Sequence, residues 1–145
     1  MIWMLDTNTC SFVIRRRPAS VKERFEQVGD QNLAISVIVL AEMRFGAELH
    51  PTRSEAILED IEDFRRRLRV LPWSEAAARC YASLRVHLQR SGTPIGNMDL
   101  LIAAHAVAED AVLVTNNTGE FKRVSELRLE DWLPQCSEGS ARRGS

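Results

Sequence analysis

Cysteine is scarce in this sequence: three in 145 residues, Cys10, Cys80 and Cys136, widely spaced and without a CxxC pair. That argues against a disulfide framework and against a thiolate zinc site. No apolar run approaches the length of a membrane span. The N-terminus has no basic stretch followed by a long apolar one, so no secretory signal is expected. The chain is therefore read as cytoplasmic, with no membrane partner. Neither sign of charge dominates, with 19 Lys and Arg against 20 Asp and Glu and a pI near 6.3. That balance neither suggests nor excludes a nucleic-acid partner, because clustering matters more than the sum. What is present suits one soluble globular domain: 45 % hydrophobic and 27 % charged residues, on a chain long enough for a real core.

Short apolar runs alternate with helical patterns, and no internal repeat is visible. Ile2 to Leu5, Leu33 to Val37, Val70-Leu71, Ala111 to Thr115 and Leu127 to Leu129 read as strands. Thr7 or Asn8 is expected to cap a helix ending before Pro18, and Ser20 another through about Val28. Ser36 starts a helix to about Leu49. Residues 54–68 carry the apolar stripe Ile57, Leu58, Ile61, Phe64 and Leu68, with acids early and arginines late, as the helix dipole favours. Ser74 caps a long helix and Asn97 one through about Glu109. The strands are continuous apolar runs, which predicts an α/β fold with a parallel sheet covered by helices on both faces. Residues 136–145, CSEGSARRGS, read as a disordered tail, so the domain is set at 1–133 and the tail at 134–145.

In such open sheets, ligands bind outside the carboxyl ends of the strands. Asp6 in MLDTNTC follows the first strand directly, and Thr115-Asn116-Asn117 follows a later one. Glu42 lies in SVIVLAEMRFG, where Ile38, Glu42, Phe45 and Leu49 share one helical face. A carboxylate amid apolar neighbours is costly unless it is paired, metal-bound or protonated. Asp99 lies in the first turn of the helix in PIGNMDLLIAAHA, above Ile102, Ala103 and Ala106. Each acid alone has a simpler account. Asp6 can bond nearby backbone N–H groups, Glu42 can pair with Arg44, and Asp99 can complement the helix dipole. Together, three acids from three segments reach one sheet edge, with no Cys and His cluster beside them. Oxygen donors of that kind suit Mg²⁺ or Mn²⁺, and the chemistry they suggest is phosphodiester hydrolysis.

MLDTNTCSFVIRRRP, ISVIVLAEMRFGAE, GTPIGNMDLLIAAHA and VLVTNNTGEFKRVSELRLEDW, in that order and at the expected spacing, resemble the four blocks of VapC toxins. These are PIN-domain ribonucleases of bacterial type II toxin–antitoxin pairs. The similarity runs from residue 1 to about Leu133, and it resembles in particular the enteric-type subgroup that cuts initiator tRNA in its anticodon loop. The resemblance implies a PIN-like domain and a Mg²⁺-dependent endoribonuclease, with Mn²⁺ able to substitute. It puts the acidic site on Asp6, Glu42 and Asp99, with Asp6 and Asp99 as metal ligands and Glu42 completing the site directly or through water. Where many PIN domains carry a fourth acid, this chain has Asn117, with Glu120 one turn on. It further implies 5′-phosphate and 3′-hydroxyl products, a homodimer and inhibition by a VapB antitoxin. The antitoxin's C-terminal segment would fill the toxin's groove, and operator DNA would be bound only through the antitoxin.

Thr7, Asn8 and Thr115 flank the acids and are expected to orient them or the scissile phosphate, with capping an equal account for the first two. Arg15, Arg16 and Arg17 are the basic run nearest the site in sequence and the weaker candidates for RNA phosphate contacts. Arg65, Arg66 and Arg67 fit a solvated helix end. His105, Cys10 and the tryptophans read as packing residues. Two other functions compete. One is a phosphohydrolase with Asp6 as nucleophile, in which LDTNT imitates DxDxT but Asn8 removes the general acid. The other is a non-catalytic module that keeps only the fold and the antitoxin surface, for which Asn117 is the sole support.

Overall fold

In a computed structural model of the chain, residues 1–134 are described. The expected tail lies outside them, apart from Pro134. The chain runs β1 (Trp3–Leu5), α1 (Thr7–Arg15), α2 (Ala19–Val28), β2 (Leu33–Ser36), α3 (Val37–Leu49), α4 (Ser54–Arg65), β3 (Arg69–Leu71), α5 (Glu75–Arg90), α6 (Asn97–Ala108), β4 (Val112–Val114), α7 (Thr118–Phe121) and β5 (Arg128–Glu130). A short 3₁₀ turn, Asp30–Asn32, precedes β2.

All five strands are parallel, in the order β3-β2-β1-β4-β5. Central strands must be apolar on both sides, and Met4, Leu5, Leu33, Ala34, Ile35, Leu113 and Val114 are buried. The edge strands relax this rule: Arg69 and Arg128 are exposed. Right-handed crossovers put the helices before β3 on one face and those after it on the other. The packing agrees, since α1 touches α2, α3 and α4 while α5 packs on α6. The chain moves outward from β1 to β3 and then returns to β4 on the far side of β1. The carboxyl ends of β1 and β4 therefore flank the point where strand order reverses, the usual ligand crevice of such sheets. Among the described residues, no helix is long and apolar enough to cross a membrane.

Several local expectations need correction. Asp6 caps α1, in place of Thr7 or Asn8. α2 begins at Ala19 with Pro18 as its cap residue, and the Ser20 hydroxyl donates to the Trp132 carbonyl at 2.8 Å. Gly96, not Asn97, is the cap residue of α6. α4 ends at Arg65, where Arg65, Arg66 and Arg67 pair with Glu62, Asp63 and Asp30. On α3 the buried residues are Val39, Met43 and Ala47, while Phe45 and Leu49 are each 66 % exposed. Glu42 therefore does not sit amid a core face.

Candidate active site

Asp6 is set by the strand that precedes it and the helix that follows. Its N–H continues the ladder onto the Val114 carbonyl at 3.0 Å. Its backbone is extended, and its Oδ1 accepts from the Thr9 N–H at 2.9 Å, satisfying one of the free donors that open α1. Thr115, buried at the end of β4, hydrogen-bonds the same carboxylate. Asp6 is only 6 % exposed. Burial pushes its pKa up, and the repulsion of Asp131 adds to that, against the bonds from Thr115 and Thr9.

Glu42 rises from the second turn of α3, half-buried. The Thr7 hydroxyl donates to its Oε1 at 2.6 Å, which ties the first turn of α1 to α3. Asp99 is the third residue of α6. Its pKa is raised to about 7, first by burial, then by its hydrogen bond to Glu120 and by the charges of Glu120, Glu42 and Asp6. Asp99 and Glu120 share one hydrogen bond, so the two carboxylates titrate as a pair. Burial pushes Glu120 upward, but that bond, those of the Gly96 N–H and Asn117, and the charge of Arg123 together hold it below its ordinary value. The Gly96 N–H donates to Glu120 Oε1 at 3.1 Å, so Glu120 serves the start of α6 from another segment. Both carboxylates face Gly96, whose added Cβ would lie 3.9 Å from Glu120 Oε1 and 4.0 Å from Asp99 Oδ2.

Three carboxylates from three other segments, Asp6, Glu42 and Glu120, therefore act on Asp99 at the carboxyl edge of the sheet. Among the described residues, however, no three Asp, Glu, His or Cys side chains stand close enough to hold a metal ion as they are arranged. Asp99 is turned onto Glu120 and Glu42 onto Thr7. The donor chemistry fits a hard divalent cation, since every group is a carboxylate oxygen, but the spacing is wider than a coordination shell.

Asn117 is exposed at the start of α7, its N–H bonded to Thr115 Oγ1 at 2.9 Å and its side chain to Glu120. It orients a carboxylate and adds no charge. Asn8 is exposed and joins none of these contacts. The three arginines diverge. Arg15 lines a groove of about 650 Å³ together with Thr7, Glu42 and an apolar floor of Ile14, Met43, Ala47, Ile57 and Ile61. Arg15 and Arg17 line a second groove with Phe12 and Pro18, while Arg16 lines a separate one with Asp60, Asp63 and Arg67. Of the triplet, only Arg15 borders the acidic site.

Two acids carry more than the sequence assigned them. Glu120 is a full member of the cluster, and the signal was its position three residues after Asn117, on the same helical face. Asp131 contributes charge at Asp6. It directly follows β5, whose end lies beside Thr115 through the Thr115 N–H to Glu130 carbonyl bond of 2.9 Å. Applying the strand-end rule to the last strand would have found it.

The sequence profile of the family described as PIN domain matches residues 3–127. The chain is 45 % identical over 132 residues to the tRNA(fMet)-specific endonuclease VapC of Shigella flexneri, covering 90 % of this chain and 97 % of that protein. It is 44 % identical over 133 residues to ribonuclease VapC2 of Rickettsia felis, covering 91 % and 98 %. Among solved structures, VapBC2 from Rickettsia felis bound to a DNA fragment from its promoter contains a chain that superposes with a TM-score of 0.86 at 42 % identity, covering 92 % of this chain and all of that one. DNA-bound VapBC from Salmonella typhimurium gives 0.86 at 41 % identity, covering 92 % and 99 %.

Proposed function

The chain belongs to the PIN-domain family and within it to the VapC ribonucleases, and on that premise we propose that it is the toxin of a toxin–antitoxin pair, an endoribonuclease that hydrolyses tRNA. The observation that carries this is the mutual repulsion at the sheet edge, where Glu120, Glu42 and Asp6 all raise the pKa of Asp99. Carboxylates gathered at one edge favour a cation, and the all-oxygen set suits Mg²⁺, or Mn²⁺ in its place. Asp6 and Asp99 would be its ligands, with Glu42 beside them. When bound, the ion would neutralise phosphate oxygens and acidify a water for in-line attack.

The protein's own share is positional. Thr9 and Thr115 lock Asp6, Thr7 holds one oxygen of Glu42, and Asn117 with the Gly96 N–H fixes Glu120. Glu120 and Asp99 share a hydrogen bond, which holds the two carboxylates together at the start of α6. Arg15 stands where it can meet an RNA phosphate entering beside Glu42. Products should carry 5′-phosphate and 3′-hydroxyl ends, and initiator tRNA, cut in the anticodon loop, is the proposed substrate.

A VapB-type antitoxin is the proposed inhibitor. The apolar floor beside Glu42 suits a peptide segment, and relatives crystallise as VapBC complexes on DNA. Operator DNA would be met only through that partner. A homodimer in the cytoplasm completes the proposal. The test is incubation of antitoxin-free protein with total tRNA in Mg²⁺ or EDTA, beside Asp99→Ala, with sequencing of the cut ends. A single Mg²⁺-dependent cut absent from the variant is expected. Cleavage that persists in EDTA or in the variant would overturn the assignment.

A further inference from the structure

Two buried polar side chains take no part in the site described so far. His105, on the third turn of α6, is completely enclosed, and so is Ser36. The His105 Nδ1 lies 2.8 Å from the Ser36 hydroxyl. Its Nε2 is shielded from solvent and has no hydrogen-bond partner among the described residues, with Glu109 Oε2 3.9 Å away. An enclosed imidazole with one unmet nitrogen is costly, and an apolar side chain could fill the same space. The polar ring therefore calls for a specific explanation.

Ser36 provides one. It is the last residue of β2 and the cap of α3, and its Oγ accepts from the Ile38 N–H at 3.1 Å. A serine hydroxyl has a single proton, which is left free to be donated to His105 Nδ1. The ring then carries its own proton on Nε2, on the side of the Glu109 carboxylate, which is the favoured tautomer. Burial keeps the ring's pKa below its ordinary value, against the pull of Glu109, so the imidazole is neutral and able to accept. The bonds run from Ile38 on α3, through Ser36, to His105 on α6. Glu42 lies one turn beyond Ile38, and Asp99 lies in the first turn of α6.

We infer that His105 is a positioning residue for the cleavage reaction: through Ser36 it clamps the first turn of α3 to α6 and so sets where Glu42 stands relative to Asp99. This rests on the nuclease assignment above. The rigid ring fixes the interhelical spacing, and the Thr7 bond then orients a Glu42 whose helix is already in register.

The conservative variants discriminate. Asn carries an acceptor near the place of Nδ1, whereas Gln carries its acceptor near Nε2. His105→Asn should keep kcat for tRNA cleavage within about threefold, while His105→Gln and Ser36→Ala lose about 10–100-fold in kcat with KM unchanged. The double variant His105→Gln/Ser36→Ala should lose no more than Ser36→Ala alone. Amide hydrogen exchange from Ile38 to Glu42 should speed up about tenfold in the Gln and Ala variants and not in the Asn variant. Full activity in His105→Gln or Ser36→Ala overturns the inference. So does an Asn variant as impaired as Gln, with activity merely following the thermal midpoint. Wild type and Asp99→Asn are assayed alongside. If wild type cuts no RNA, the nuclease assignment falls, and the exchange pattern alone then decides whether the clamp exists.

Discussion

Replacing Asp99 with Asn should make the metal-free protein more stable while abolishing cleavage. The Asp99 carboxyl is moved from 3.8 to about 7 by burial and by Glu120, Glu42 and Asp6. Unscreened, that displacement corresponds to about 4 kcal/mol. Two effects reduce it. Asp99 is partly open to solvent, which screens the repulsion. Glu120 gains from the shared hydrogen bond part of what Asp99 loses. The expected net advantage of Asp99→Asn at pH 8 in EDTA is therefore about 1–2 kcal/mol, or roughly 2–8 °C in Tm. The sign follows from proton binding. With its folded pKa raised, Asp99 keeps a proton in the native state that the unfolded chain has already lost. Wild-type stability thus falls as pH rises from about 4 through about 7, and the penalty is complete above that. Urea melts of both proteins at pH 5 and pH 8 measure it. The gap should widen between the two pH values, and adding Mg²⁺ at pH 8 should stabilise wild type but not the variant. An equal gap at both pH values, or no gap in EDTA, would refute the electrostatic account.

Other perturbations separate the roles assigned above. Glu120→Gln should lower Mg²⁺-dependent cleavage by about tenfold or more with the fold retained, whereas Asn117→Ala, which only orients Glu120, should stay within about threefold; single-turnover assays with circular dichroism check both. Glu130 accepts from Trp3 Nε1 at 3.1 Å, Trp132 Nε1 at 2.8 Å and Arg24 Nε at 3.2 Å, so Glu130→Ala should cost about 2–3 kcal/mol in urea melts at pH 7. Burial opposes the lowering of the Glu130 pKa, but Trp132, Trp3 and Arg24 prevail, so this stability is present above about pH 4.5 and lost as pH falls further. Arg15→Ala should weaken tRNA binding by an Asp99→Asn background protein and reduce its salt slope by about 1, while Arg66→Ala, paired with Asp63, should change neither. Fluorescence anisotropy across a salt series reads that comparison.

The parallel sheet and the convergence of Asp6, Glu42 and Asp99 on one edge of it were legible in the sequence because parallel strands are unbroken apolar runs and their carboxyl ends are where chemistry collects. Ser36 and Ser74 were readable as caps for a local reason, a hydroxyl immediately before a helical run. The phase of α3 was not readable. Val37-Ile38-Val39-Leu40-Ala41 is apolar all round, so periodicity cannot say which side faces the core, and Phe45 and Leu49, on the face of Glu42, are exposed. Asp6 as a cap was hidden because Thr7 and Asn8 are equally good cap residues by type. Asp6 prevailed because the strand delivers it in extended backbone directly onto the helix start. Glu120 and Asp131 carry weak local signals, and what they touch is set by tertiary proximity, one through Gly96 and Asp99 and the other through the end of β4. The His105 to Ser36 bond spans 69 residues, and no local pattern announces it.

The central claim is that Asp6, Glu42 and Asp99 form one cation-dependent phosphodiesterase site. It is tested most directly by titrating Mn²⁺ into metal-free wild-type protein and into Asp6→Asn, following ion binding and initiator-tRNA cleavage in the same samples. The account predicts that binding and cleavage of wild type rise together over one Mn²⁺ range and that both are lost in Asp6→Asn. Cleavage without added cation, or binding and cleavage retained by Asp6→Asn, would contradict it.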